Sequence, residues 1–72
     1  MKTVYWIGSV PTHCEVCKIP INNEFVDGRV PGLGCWAIMH PTYYKQNGGK
    51  FGQGFGQRYQ KQFDGRWLKV EG

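Results

Sequence analysis

Hydrophobic residues along this chain come in short runs that glycine and proline cut off, so the pattern predicts short elements joined by loops. Thr3 to Val10 (TVYWIGSV) is β-branched and aromatic and stops at Pro11, the pattern of a strand ending in a turn. After HCEVCK come Ile19-Pro20-Ile21 and Glu24-Phe25-Val26, which runs into Asp27-Gly28, a dipeptide suited to the positive-φ positions of a tight hairpin turn. The prediction there is strand, turn, strand. Pro31-Gly32-Leu33-Gly34 reads as a loop, and Cys35 to His40 (CWAIMH) fits either a buried strand or one helical turn, closed by Pro41.

Asn47 to Gly56 holds five of the eleven glycines and is predicted to be irregular. From Phe51 the aromatics fall on every fourth position: Phe51, Phe55, Tyr59, Phe63 and Trp67. On a helix that spacing makes one stripe, and Gln57 to Gln62 are good helix formers able to carry two turns. Asp64-Gly65 repeats the turn signal before a last strand, Trp67 to Val70. This strand is predicted to pair with Thr3 to Ile7, with Trp6 or Trp67 in the core.

These elements define the expected fold class: a small β-rich, loop-rich single domain over residues 1–72 with at most one short helix. A chain of 72 residues buries only about 60% of its unfolded surface, which leaves no room for a large catalytic cleft and calls for a staple. Hydrophobic content of 40%, with three Trp, four Tyr and four Phe, is too rich for a disordered tail. No apolar run approaches the roughly 18 residues of a membrane span, so no membrane partner is expected. Met1-Lys2 is followed by an apolar stretch, Val4 to Val10, that Gly8 interrupts and Pro11 ends. It fits neither a signal peptide nor a transit peptide, and a cytosolic location is expected.

Three cysteines cannot complete a disulfide framework, so the staple is expected to be a metal. Cys14-Glu15-Val16-Cys17 has the two-residue gap of a zinc knuckle, whose turn aims both thiolates at one point. Cys35 and His40 lie downstream, and Cys14, Cys17, Cys35 and His40 together would make a Cys₃His tetrahedron for zinc, a ribbon over residues 14–40. His13 is the reserve ligand. Two other readings stand beside this one: a redox CxxC pair, which lacks a βαβ context, and buried reduced thiols with His40 facing solvent.

The run CEVCKIPINNEFVDG, then Gly34-Cys35-Trp36-Ala37-Ile38-Met39, then GFGQRYQKQFDGRWLKVEG resembles short zinc-ribbon-like proteins encoded by tailed bacteriophages, over roughly residues 14 to 72. In that family a second CxxC follows the Trp-Ala-x-Met segment. Here the place reads His40-Pro41-Thr42-Tyr43, so His40 takes the first cysteine's position and Tyr43 the second, and Cys35 sits where the family usually has proline. The resemblance implies phage origin and a small ribbon-like fold, and it supplies no established activity.

Charge is uneven along the chain. Residues 1–44 balance Lys2, Lys18 and Arg29 against Glu15, Glu24 and Asp27, so the net charge of +4 comes from residues 45–72. That segment interleaves basic residues with aromatics and glycines, a composition suited to phosphate and to base stacking. Lys50, Phe55, Arg58, Tyr59, Lys61 and Arg66 are the expected contacts for nucleic acid or a nucleoprotein partner. The bland reading is that the aromatics build the core and the charges are ordinary solvated surface. A zinc site closed by four protein ligands leaves no position for reacting water, so no enzyme activity and no small-molecule substrate are expected. The expected function is that of a zinc-stapled phage accessory protein that acts by binding in the host cytoplasm. The alternatives are a minor virion or decoration protein, or an inhibitor of a host protein through protein contact.

Overall fold

A computed structural model describes residues 3–72. Met1 and Lys2, the start of the expected domain, lie outside the described residues. The core element is a four-stranded antiparallel sheet of β1 (Glu24–Arg29), β2 (Trp36–Met39), β3 (Gly56–Lys61) and β4 (Trp67–Glu71), in the order β2-β1-β3-β4, with one short helix, α1 (Pro41–Gln46). The β-rich, loop-rich class with at most one short helix is what the described residues have.

Side chains alternate across the sheet, and each face builds its own core. On one face Phe25 pairs with Tyr59 and packs with Trp67, with Trp6, Ile21 and Ile38 around them. Phe25 stacks on Tyr59 with ring centroids 5.2 Å apart, and the Trp6 ring stands edge-on to both at 5.1 and 5.3 Å. On the other face Val26 pairs with Met39, and these pack with Val30, Tyr44 and Cys14. The CxxC knuckle is thus rooted in a core through its first cysteine.

The N-terminal segment meets the free edge of β4 as expected, but as an isolated bridge, Tyr5 opposite Leu68, rather than a full strand. The Trp6 N–H donates to the Trp67 carbonyl and the Lys69 N–H to the Val4 carbonyl, both at 2.8 Å. Trp67 is buried, and the Asp64-Gly65 turn and last strand fall where predicted. Most of Asn47 to Gly56 is irregular apart from the bridge of Gly52 to Gly56.

Two expectations are corrected. Asp27-Gly28 is not a hairpin turn but the middle of β1, and the chain reverses at Pro31 to Gly34 instead. Gly28 is needed there for close approach: a Cβ on it would lie 3.0 Å from both the Gly56 Cα and the Phe55 carbonyl across the β1–β3 pair. Gln57 to Gln62 is not helical, because Gly56–Lys61 forms β3. A four-residue spacing keeps aromatics on one side of a strand as well as of a helix. Tyr59 and Trp67 nevertheless lie on different strands and share a core through the β3–β4 register, in which Lys61 stands opposite Trp67, while Phe63 falls in the turn between β3 and β4 and is fully exposed.

Candidate metal centre

The knuckle is a small ribbon of its own. Across residues 12–21 the Ile21 N–H donates to the Thr12 carbonyl at 2.9 Å, His13 bridges Pro20, and the Cys14 N–H donates to the Ile19 carbonyl at 3.0 Å. The turn at its tip closes with the Lys18 N–H on the Cys14 carbonyl at 2.9 Å, and Lys18 takes φ 67°, the left-handed conformation that lets the chain double back within four residues.

His40 arrives from the opposite direction, at the junction of β2 and α1. Pro41 disfavours helical backbone in the residue before it and sits at the start of α1, so His40 is held extended at φ −66°, ψ 140° as that helix begins. This sends the ring back toward the knuckle. Gly48, at φ 82°, lets the chain leave the helix after Asn47, with its N–H on the Lys45 carbonyl at 3.2 Å.

Cys14, Cys17 and His40 therefore converge, with one ligand atom from each lying within 4.8 Å of the others. A tetrahedral zinc ion bound at about 2.3 Å from sulfur and about 2.0 Å from nitrogen holds its ligand atoms about 3.5 to 3.8 Å apart. The Cys17 Sγ and His40 Nδ1 stand 3.4 Å apart, close to that requirement. The far nitrogen of the ring, Nε2, is 3.0 Å from the Pro20 carbonyl. A carbonyl can only accept, so Nε2 is the donor in this contact and Nδ1 is the nitrogen turned to the thiols, the orientation and outer support a metal-ligating histidine has. These residues can hold a metal ion.

Burial pushes the Cys14 thiol up, but hydrogen bonds from the Cys17 backbone and thiol and from the Val16 and His40 backbone outweigh it, and the group is lowered to about 6. One of these bonds is the Cys17 N–H on Cys14 Sγ at 3.4 Å. The buried thiol is thus held near its thiolate form, the form that binds metal.

Two expected ligands are elsewhere. Cys35 is exposed at the far end of β2 from His40, and at about 3.3 Å per strand residue the two lie roughly 16 Å apart. His13 is exposed and its Nδ1 faces the Thr12 hydroxyl at 3.0 Å. Sequence patterning gave no structural role to Glu15, which ties the knuckle to β2 through Ile38. Its only signal is its place inside the CxxC.

The expected contact residues divide. Arg58 lies between two carboxylates, Nη1 on Glu24 and Nε on Glu71 at 2.6 Å, and Tyr59 is buried in the Phe25 core. Arg66 lies 4.2 Å over the Tyr5 ring and pairs with Asp64 at 2.7 Å. Lys61 is exposed at the far end of β3 from Phe55, roughly 20 Å along the strand. Arg58, Lys61 and Arg66 thus do not make one patch with Lys50: Arg58 and Lys61, three positions apart on β3, face opposite sides of the sheet, and Arg66 is held in the turn before β4. Lys50 and Phe55 do stay together: the Lys50 Nζ is 6.0 Å from the centroid of the half-exposed Phe55 ring. They line a groove with Arg29, Pro31 and Gly49 that contains no carboxylate.

Glycines of this segment admit Tyr44. A Cβ on Gly49 would lie 2.5 Å from the Tyr44 ring, and one on Gly56 would lie 2.7 Å from its hydroxyl, which hydrogen-bonds the Lys50 and Phe55 carbonyls. Among the described residues no helix is long and apolar enough to cross a membrane. No protein-family model, no curated protein and no solved structure matches this chain.

Proposed function

We propose that the chain is a non-catalytic, zinc-stapled binding module of phage origin, and that its partner is single-stranded nucleic acid taken in the groove of Arg29, Lys50 and Phe55. The donor set supports zinc: two thiolates and one imidazole suit that ion better than hard cations, which prefer oxygen. The order of motifs along the chain supports the phage reading.

One observation carries the binding reading. Phe55 presents a half-exposed phenyl ring with the Lys50 ammonium over it, 6.0 Å from the centroid, in a groove lined by no acidic residue. Bases stack on exposed aromatic rings, and Lys50 and Arg29 are basic groups of the same groove that would neutralise the adjoining phosphates. Glu15, the one carboxylate inside the knuckle, accepts from the Ile38 N–H and so ties the knuckle to β2, in keeping with a staple.

An electrophoretic shift assay with single- and double-stranded DNA and RNA at low salt tests the binding. The expected result is a shift with single strands that weakens steeply from about 50 to about 200 mM salt. No shift at micromolar protein would end the nucleic-acid reading and favour contact with a protein, for which the exposed Phe63 and Leu33 are available anchors.

A further inference from the structure

The three donors of the metal centre leave zinc one ligand short of its usual four, and among the described residues no other cysteine, histidine or carboxylate joins the group. The open side of the centre is a shallow groove lined by Cys17, Ile19, His40, Thr42, Tyr43 and Gln46, with no ionised acid or lysine among them. Meanwhile Cys35 carries an exposed thiol that is free among the described residues, flanked by two exposed apolar side chains, Leu33 at 76% and Trp36 at 48%. The groove has its own exposed apolar side chain in Ile19, at 57%.

We infer that the fourth ligand is Cys35 of a second copy of this chain, so that zinc joins two copies through a Cys₃His site at each end of a two-fold dimer. The inference rests on the zinc reading above. Each copy offers both an incomplete centre and a spare thiol, which is the self-complementary arrangement that a two-fold axis closes without forming filaments. The ligand count favours a thiolate, because Cys₃His is a common closed structural set. Charge agrees with it: zinc with three thiolates and a neutral imidazole is a net anion, which offsets part of the chain's formal charge of +4. Seating Leu33 and Trp36 against Ile19 and Tyr43 would bury exposed apolar surface beside the new bond. When the bond forms, the Cys35 thiol gives its proton to solvent and its sulfur takes the fourth position on zinc.

Sedimentation of the full chain in a reductant that prevents disulfides, with and without one equivalent of zinc, is the test. The expected result is a doubling of mass with zinc, reversed by a chelator. Cys35→Ser should remain monomeric yet still bind zinc, and in cobalt-substituted protein its thiolate-to-metal absorption should fall by about a third, from three thiolates to two. Mixing Cys35→Ser with Cys17→Ser should restore a dimer, since the first supplies an intact centre and the second an intact donor thiol. Wild type that binds zinc and stays monomeric, or Cys35→Ser that still dimerises, would overturn this inference while leaving the zinc reading intact. Failure to bind zinc at all would overturn both.

Discussion

Glu15 holds Ile38 by both of its main-chain groups: the Glu15 N–H donates to the Ile38 carbonyl at 2.9 Å, and the Glu15 carboxylate accepts from the Ile38 N–H at 2.7 Å. Ile38 lies on β2, the edge strand, so the knuckle covers an edge that would otherwise be unpaired at this residue. The same clamp sets the distance between the CxxC turn and His40, two residues further on. Glu15→Ala should therefore cost about 1 kcal/mol of stability and weaken zinc about 10-fold or more, because an outer support of the ligands is lost. Glu15→Gln keeps a carbonyl oxygen for the Ile38 N–H and should retain most of the affinity. Competition titration against a chromophoric chelator measures both, and equal affinities for Glu15→Ala and wild type would show that the clamp does not position the centre.

Tyr44 is buried in a slot whose walls are glycine backbone, and a methyl group on Gly56 would have to displace its ring. Gly56→Ala should cost about 2 kcal/mol, which at about 4–8 °C per kcal/mol for a domain of this size lowers the Tm by roughly 10 °C. The nearest atom is the Tyr44 hydroxyl, so Tyr44→Phe should relieve part of the clash, and the two substitutions together should cost less than their sum. Gly54→Ala is the control: a Cβ there meets open space, and only its φ of 83° is strained. A Gly56→Ala protein as stable as Gly54→Ala would mean that the slot tolerates the methyl group.

The last strand and the knuckle were legible because their signals are local. Trp67 to Val70, the Asp64-Gly65 turn and the CxxC each follow from residue types within a few positions of one another, whereas Thr3 to Ile7, expected as a full strand, meets β4 only as a bridge. The failures come from contacts across the sheet. Asp27-Gly28 has turn chemistry, yet Gly28 is required by its neighbour Gly56 on another strand. Gln57 to Gln62 has helix propensity, yet Tyr59 is drawn into a sheet core by Phe25 and Trp67. Pro41 was legible as an end to β2, but a proline also opens helices, and the residues after it form α1. In the metal centre, residue types pointed to Cys14, Cys17 and His40, whereas the separation of Cys35 depends on β2 being extended rather than helical.

The Cys14 thiol gives a pH dependence with a definite sign in metal-free protein. Its folded value of about 6 lies below the ordinary 9.0, so between these values the folded state binds fewer protons than the unfolded one. The stability from this group is fully present above about pH 9, declines as pH falls toward about 6, and is gone below that. Thermal melts of wild type and Cys14→Ser across this window should therefore diverge as pH rises, and the ultraviolet absorbance of the thiolate should titrate near 6. Parallel melting curves would show that the hydrogen bonds from Cys17, Val16 and His40 do not hold the thiolate.

Arg58 and Lys50 should behave oppositely although both are basic residues of the same segment. The β3–β4 register shifts between Arg58 and Tyr59, which sets Glu71 rather than Val70 opposite Arg58, and Glu24 reaches the same guanidinium from β1. Burial pushes the Arg58 guanidinium down, but the two carboxylates outweigh it and hold it more firmly charged. That charge is already neutralised within the sheet and has little left for a phosphate. Arg58→Ala should leave Glu24 and Glu71 facing one another and cost about 1 kcal/mol, discounted for their partial exposure. It should leave the salt dependence of nucleic-acid binding unchanged. Lys50→Ala should barely affect the Tm but reduce the slope of log affinity against log salt by about 0.7 to 0.9, and Arg29→Ala should do the same. The two together should reduce it by about 1.6, because no carboxylate lines their groove to compensate. Fluorescence anisotropy with a labelled single strand across a salt series reads these slopes directly. If Arg58→Ala lowers the slope while Lys50→Ala does not, the contact surface lies on β3 and not in the Phe55 groove.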